Sequence, residues 1–119
     1  MLRVPYYLVQ ASYTERYWDV LIKNPQNRVE ALRPVIESLG GKIENAFLAF
    51  GDYDVVAILQ MPENVNAAAL SMALMAGGAV NKVKTTPLVT WEEGVEAMKK
   101  AHKAAYQPPK SSPMLLRSE

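Results

Sequence analysis

The order of apolar and polar positions divides the chain into alternating strands and helices. The first apolar run, Pro5–Ala11, is rich in Tyr, Leu and Val and predicts a strand. Ser12 and Glu15 then fit a capping box, in which the Ser12 hydroxyl accepts a hydrogen bond from the Glu15 amide. The residues expected on one face of the short helix that follows are Trp18, Leu21 and Ile22.

A second helical stripe follows the first helix. Its apolar residues recur at spacings of three and four: Val29, Leu32, Ile36 and Leu39. Asn24 is expected to cap this helix, with Pro25 as its first residue. Pro34 lies inside the stripe and predicts a kink, because proline lacks the amide hydrogen that the helix needs. Gly40 and the glycine after it are expected to end the helix.

The middle of the chain predicts a β-hairpin. Lys42–Phe50 alternates between apolar and polar residues, and Tyr53–Met61 is a nearly unbroken apolar run of the kind buried on both faces. Gly51 and Asp52 between them predict a two-residue turn. In the first strand, the alternation places these side chains on one face: Ile43, Phe47 and Ala49.

Two more elements and a final helix complete the pattern. Val65–Ala76 is rich in Ala, Leu and Met and predicts a helix that is apolar nearly all round. Val80–Val89 predicts a fourth strand, and Pro87 within it indicates an edge or a bulge. Thr90 and Glu93 fit a second capping box at the start of the last helix.

This order predicts an α+β domain of the ferredoxin-like βαββαβ class. Its four strands should form an antiparallel sheet backed by helices, with an extra C-terminal helix. We expect the domain to span residues 1–106, followed by a mobile Pro/Ser-rich tail over residues 107–119. The strands carry apolar residues toward both faces of the sheet, so we expect a second copy of the chain to cover the bare face.

Composition narrows the function classes. The 119 residues suit one domain, and no apolar run approaches the ~20 residues that a membrane-spanning helix needs. The N-terminus lacks the pattern of a signal peptide, which makes a cytoplasmic location the expectation. The absence of cysteine excludes disulfides and thiolate metal sites. A net charge of +1 argues against a nucleic-acid partner, since such domains usually carry a clustered excess of basic residues.

The hairpin region resembles the GYD-domain family. The residues that carry the resemblance are Gly40–Lys42, Phe50–Val56 and Val83–Thr85, and its signature stretch is present as Gly51-Asp52-Tyr53-Asp54. The resemblance covers roughly residues 5–100 in the same order. It implies a fold similar to dimeric α+β barrel proteins, in which two sheets pack face to face. It implies no catalytic residues, because the family has no generally assigned activity.

Two candidate sites have both a functional and a structural interpretation. Asp54 could act as a general base or ligand anchor beside Tyr53, although turn geometry and packing explain Gly51 and Asp54 without any substrate. We favour the structural interpretation. His102 is the only histidine, and no second histidine or cysteine lies at ligand spacing, so we predict no metal site there. Capping or packing near a helix end is the favoured role for His102.

Aromatic residues supply the remaining candidates. Tyr7, Trp18 and Trp91 could line an apolar pocket of the kind that cofactor-free oxygenases of similar barrel shape use, or pack in a core or subunit contact. Five cations could gather around an anionic ligand, but their spread along the chain favours a solvated surface: Arg28, Arg33, Lys42, Lys82 and Lys84. The leading hypothesis is a homo-oligomeric small-molecule-binding or regulatory module without a cofactor. The alternative is a cofactor-independent monooxygenase or isomerase. A third hypothesis is a purely structural association protein, which a pocket filled by side chains would indicate.

Overall fold

The computed structural model of the protein describes residues 5–109, which contain four strands and four helices. In chain order the elements are β1 (Tyr6–Tyr13), α1 (Glu15–Lys23), α2 (Arg28–Ser38), β2 (Lys42–Leu48), β3 (Val55–Gln60), α3 (Asn64–Ala76), β4 (Val80–Leu88) and α4 (Trp91–Lys103). The chain divides into two compact units, residues 1–88 and residues 89–119. The first unit contains all four strands, and α4 belongs to the second.

The four strands form one antiparallel sheet in the order β2-β3-β1-β4. This is the ferredoxin-like arrangement, so the predicted α+β fold class is confirmed. β1 lies in the interior of the sheet, where Val9 pairs with Ala57 of β3 on one side and with Thr85 of β4 on the other. β4 is an edge strand, which is the position expected for a strand that contains Pro87.

The hydrophobic core lies between one face of the sheet and the helices α2 and α3. Alternate residues of β1, Tyr7 and Val9, are buried with Leu59 and with residues of both helices. The helix residues in this core are Ile36 of α2 and Ala67 and Leu70 of α3. Leu59 and Met61 are the most completely buried large side chains, at 1% and 0% exposure. We call this side of the sheet the helix face.

The opposite side of the sheet is termed the open face. The register places eight uncharged side chains on it: Tyr6, Leu8, Gln10, Val56, Ile58, Gln60, Thr86 and Leu88. All eight are half-buried, and none belongs to the core cluster of the described residues. The same register adds three exposed lysines on the two edge strands, Lys42 of β2 and Lys82 and Lys84 of β4. The open face is therefore uncharged along its inner strands and basic at its edges.

The first helix begins later than the sequence predicts. Ser12 lies within β1, and its hydroxyl donates to the Asp52 carbonyl at 3.1 Å. Thr14 caps α1 instead, and its side chain accepts from the Tyr17 amide at 3.1 Å. The predicted Ser12 cap is wrong because β1 continues to Tyr13, pairing with β4 across an irregularity in register.

The start of α2 also differs from the prediction. Asn27, and not Asn24, caps this helix, and its side chain accepts from the Val29 amide at 3.0 Å. Asn24 instead ends α1, where its amide donates to the Val20 carbonyl. The proline for which a kink is predicted does not end the helix, since α2 runs from Arg28 to Ser38 with Pro34 inside it.

The predicted glycine stop after α2 is confirmed. Gly40 has a φ of +81°, in the left-handed region that favours glycine. Its amide donates to the Glu37 carbonyl, and the Gly41 amide donates to the Ile36 carbonyl, which is the hydrogen-bond pattern of a Schellman motif. Gly41 also lies close to the core, where an added Cβ would be 2.9 Å from the Gln60 carbonyl oxygen.

The hairpin between β2 and β3 is present, but its predicted two-residue turn is wrong. β2 ends at Leu48 and β3 begins at Val55, which leaves residues 49–54 in the connection. The Ala49 amide donates to the Asp54 carbonyl at 2.7 Å, while the Asp54 amide donates to Ala11 of β1 at 2.8 Å. These two hydrogen bonds hold the backbone of Asp54 between β2 and β1. The connection therefore runs to Asp54 and is longer than the predicted turn at Gly51 and Asp52.

A bulge in β2 changes which side chains share a face. Ile43 pairs with Leu59 and Asn45 pairs with Ile58, which are adjacent in β3. Glu44 is therefore an extra residue on β2. The predicted alternation from Ile43 to Phe47 is therefore wrong. Ala46, not Phe47, lies on the helix face with Ile43, and Phe47 is 64% exposed.

The second unit begins with the predicted capping box. The Glu93 amide donates to the Thr90 hydroxyl at 3.1 Å, and the Thr90 amide donates to the Glu93 carboxylate at 2.7 Å. In residues 5–109 no helix has the length and apolar character needed to cross a membrane. The predicted tail falls mainly outside the described residues; its first three, 107–109, lie in no helix or strand.

Candidate functional site

Two adjoining cavities lie within the unit of residues 1–88. The inner cavity, of about 300 Å³, is lined by residues of β1, β3, α2 and α3 together with Ile43 and Ala46 of β2. The outer cavity, of about 460 Å³, is lined by α1, the α1–α2 loop, the start of α2 and the hairpin strands. Six residues line both: Tyr13, Arg28, Val29, Leu32, Ala46 and Val55.

The inner cavity is almost entirely apolar. Its lining follows from two periodicities: alternate residues of β1 and β3 point to the helix face, and one stripe of α3 faces them. That stripe consists of Leu70, Ala73 and Leu74, and Gly77 at the end of the helix continues it. Among the lining residues only Tyr13 and Arg28 carry polar side chains. Such a lining suits the apolar part of a small organic molecule.

Tyr13 is the centre of an aromatic cluster beside the cavities. Its ring centroid is 5.2 Å from that of Tyr17 and 5.4 Å from that of Trp18, and the Trp18 ring is nearly perpendicular to it. Burial raises the pKa of the Tyr13 hydroxyl, and the charges of Tyr17 and Asp54 act in the same direction. The Arg28 guanidinium opposes this increase. Tyr13 is therefore a neutral hydrogen-bonding group near pH 7.

Asp54 connects three elements of the first unit. Its Oδ2 atom accepts from the Tyr13 amide at 2.9 Å and from the Trp18 indole nitrogen at 3.2 Å. The carboxylate thus joins the start of β3 to the end of β1 and to α1. Asp54 lines neither cavity, whereas Trp18 lines the outer one. This geometry places Asp54 as a support for the cavity wall.

Three other candidate residues of the first unit lie outside both cavities: Gly51, Tyr53 and Tyr7. Gly51 is exposed in the hairpin loop. The Tyr53 ring lies under the ammonium group of Lys82, at 4.6 Å from the ring centroid. Tyr7, 2% exposed, is a core residue whose hydroxyl donates to the Asn64 side chain at 2.6 Å.

Trp91 and His102 belong to the second unit. Trp91 is the first residue of α4 and is 81% exposed. His102 is exposed in the last turn of the same helix, with Lys100 and Lys103 beside it. No group of three or more His, Cys, Asp or Glu side chains that could hold a metal ion occurs within residues 5–109.

Sequence reasoning assigned the most informative cavity residue, Arg28, to the solvated surface. Its contacts within the described chain are with neutral groups: the Gln26 side-chain oxygen at 3.3 Å and the Tyr17 ring at 5.4 Å. The sequence feature that could have identified Arg28 as a cavity residue is its position, because it directly precedes the apolar stripe that begins at Val29. The cavity-lining alanines, such as Ala73, carry no such signal.

Comparison with known proteins gives a family. The chain has no significant match among curated proteins or among solved structures. The family model described as the GYD domain matches residues 7–98, which include the sheet except its first residue, Tyr6, together with both cavities and most of α4. This match covers well over half of the 119 residues, and the chain therefore belongs to the GYD-domain family.

Proposed function

We propose that the protein is a homo-oligomeric small-molecule-binding module that takes an apolar ligand into the inner cavity. The observation that carries this proposal is the cavity itself, which has the size of a small ligand pocket and an almost wholly apolar lining. The enzyme alternative would use the same space. The ionisable side chains that line it are Tyr13 and Arg28, so binding is the function that these residues support best.

A cavity-blocking substitution tests the proposal. N-phenylnaphthylamine is a neutral dye that fluoresces strongly in apolar surroundings, and we expect it to bind with one site per chain. Ala73 lines the cavity from α3, so the phenyl ring of Ala73→Phe should occupy space that the dye needs and weaken dye binding about tenfold or more, a loss of ~1.4 kcal/mol. Ala68→Phe is the matched control on the same helix, because Ala68 is exposed like Ala73 but lines neither cavity.

The dye titration has two clear outcomes. Weaker binding by Ala73→Phe alone, with both variants showing the wild-type circular dichroism spectrum, supports a ligand in the inner cavity. No saturable binding by the wild type, or equal binding by all three proteins, would overturn the proposal.

The oligomeric part of the proposal rests on the open face. The side chains that its inner strands β1 and β3 place on it are uncharged, with Leu8, Val56 and Ile58 near the middle. Its lysines lie on the edge strands, where they remain exposed. A second copy can therefore cover the inner strands without burying an unpaired charge, which is the usual obstacle to sheet-on-sheet association. A two-fold symmetric pairing also presents the same patch on both partners, and uncharged patches satisfy that requirement easily.

The second unit carries uncovered apolar surface of its own. Trp91, Val95 and Met98 recur at spacings of four and three along α4 and are 81%, 44% and 60% exposed. Exposed apolar stripes of this kind mark association surfaces. This stripe is a second reason to propose association of two chains. The cytoplasmic location expected from the sequence stays a prediction within the same proposal.

A charge on the open face should separate the oligomer into single chains. Ile58→Glu would bury a carboxylate between two facing sheets, so sedimentation velocity at micromolar concentration should change from the oligomer to a species of one-chain mass. Leu88→Glu, on the edge strand of the same face, should act in the same direction.

Val65→Glu provides the control for both variants, since Val65 is 74% exposed on α3. It should sediment like the wild type. A wild-type protein that sediments as a single folded chain, or open-face variants that remain fully associated, would contradict the proposed oligomer.

A further inference from the structure

We propose that the natural ligand of the inner cavity is an amphipathic monocarboxylic acid, with its apolar body in the cavity and its carboxylate on the Arg28 guanidinium. This inference rests on the proposed binding function and specifies the ligand class. It follows from the contrast between one cationic side chain and an otherwise apolar wall.

Arg28 is positioned to meet a ligand that extends through both cavities. It lines the inner and the outer cavity, and its side chain is half-buried. The guanidinium lies 5.4 Å from the centroid of the Tyr17 ring, within the range of cation–π attraction, which restrains the end of the side chain. A guanidinium held in this way is pre-organised for bidentate hydrogen bonds to a carboxylate.

Arg28 has no carboxylate partner among residues 5–109. The acid next to it on α2, Glu30, pairs with Arg33, whose Nη2 lies 3.1 Å from a Glu30 oxygen. The hydrogen-bond partner of Arg28 is the neutral Gln26 side chain at 3.3 Å. A half-buried cation with only neutral contacts can gain a charge-assisted hydrogen bond from an anionic ligand.

The same features limit the ligand's charge and size. Arg28 is the only cationic side chain in the lining of either cavity, which matches one carboxylate better than a phosphate ester with more charge. The volume of about 300 Å³ lies at the lower end of small-molecule pockets. Apart from the Tyr13 hydroxyl, the remaining wall, including Val9, Leu59 and Leu70, offers contact only to apolar groups.

Competition between two probes of equal chain length tests the inference. Decanoate and decanol share an apolar chain and differ in the head group, and each is titrated against the bound N-phenylnaphthylamine at pH 7. Decanoate should displace the dye from the wild type. Arg28→Gln should weaken decanoate binding about tenfold, since hydrogen bonds to charged groups contribute ~1.5–3 kcal/mol, and should leave decanol binding unchanged.

Arg33→Gln is the matched control, because Arg33 is on the same helix but lines neither cavity. It should bind both probes like the wild type. Arg28→Lys, which keeps the charge and loses the planar fork, should lie between the wild type and Arg28→Gln. Circular dichroism of each variant confirms that the fold is retained.

The outcomes separate this inference from the proposed function. Displacement by decanoate and decanol with equal strength in wild type and Arg28→Gln would overturn the carboxylate site while leaving the apolar pocket intact. Displacement by decanol alone would do the same. Failure of the dye and of both probes to bind would overturn the binding function and, with it, the ligand class.

Discussion

Replacing Leu59 by alanine should lower the free energy of unfolding by about 2–5 kcal/mol, the range for large-to-small substitutions in a protein core. Leu59 is 1% exposed and lies in β3, between Tyr7 of β1 and Ile43 of β2. Its side chain also lines the inner cavity, so the atoms that are removed enlarge an existing space. The loss should be measured from urea denaturation followed by circular dichroism.

Leu48→Ala is the control for this substitution. Leu48 is in the neighbouring strand β2 and is 68% exposed, so removing its side chain should change stability by less than about 0.5 kcal/mol. Equal losses in the two variants would mean that the core is not between the helix face and the helices. If Leu59→Ala remains folded, it should still bind N-phenylnaphthylamine, because the pocket becomes larger and not smaller.

Asp54→Ala should lower the free energy of unfolding by about 1–3 kcal/mol. The substitution leaves the Tyr13 amide and the Trp18 indole N–H without their acceptor, and half-buried donors without partners are costly. Asp54→Asn keeps a side-chain oxygen in the same position and should lose less. The measurement is again urea denaturation followed by circular dichroism.

Asp52→Ala separates the side chain of Asp54 from the loop as a whole. Asp52 is exposed in the same connection and takes part through its backbone carbonyl, which accepts from Ser12, so its replacement should cost less than about 0.5 kcal/mol. Suppose instead that Asp54→Ala keeps wild-type stability but no longer binds the dye or decanoate. Asp54 would then act on the ligand, and its role as a wall support would be wrong.

The predicted strands of the hairpin were correct in kind, but their connection and register depended on contacts distant in sequence. The apolar runs around residues 42–50 and 53–61 identify both strands. Asp54 is removed from β3 because its backbone bonds to Ala11 and its side chain to Trp18, which are more than thirty residues earlier. No local turn pattern contains that information.

The site was predicted only in part, for a similar reason. Trp18 and Asp54 were candidates, and the structure brings them into one hydrogen bond. The cavity depends on Val9, Arg28 and Ala73, which come from three separate elements and are ordinary residues in their local sequence. An arginine at the start of a helix resembles any solvated surface cation until the neighbouring elements are known.

The fold class follows from the amino-acid sequence, because the strand and helix periods and the glycine stop after α2 are local properties of the chain. The match of residues 7–98 to the GYD domain agrees with that order. The phase of β2, the length of the hairpin loop, the caps of α1 and α2 and the existence of the cavities are set by the folded chain. These features depend on side chains that meet across the sheet, and the free energies of such contacts outweigh local preference where the two disagree.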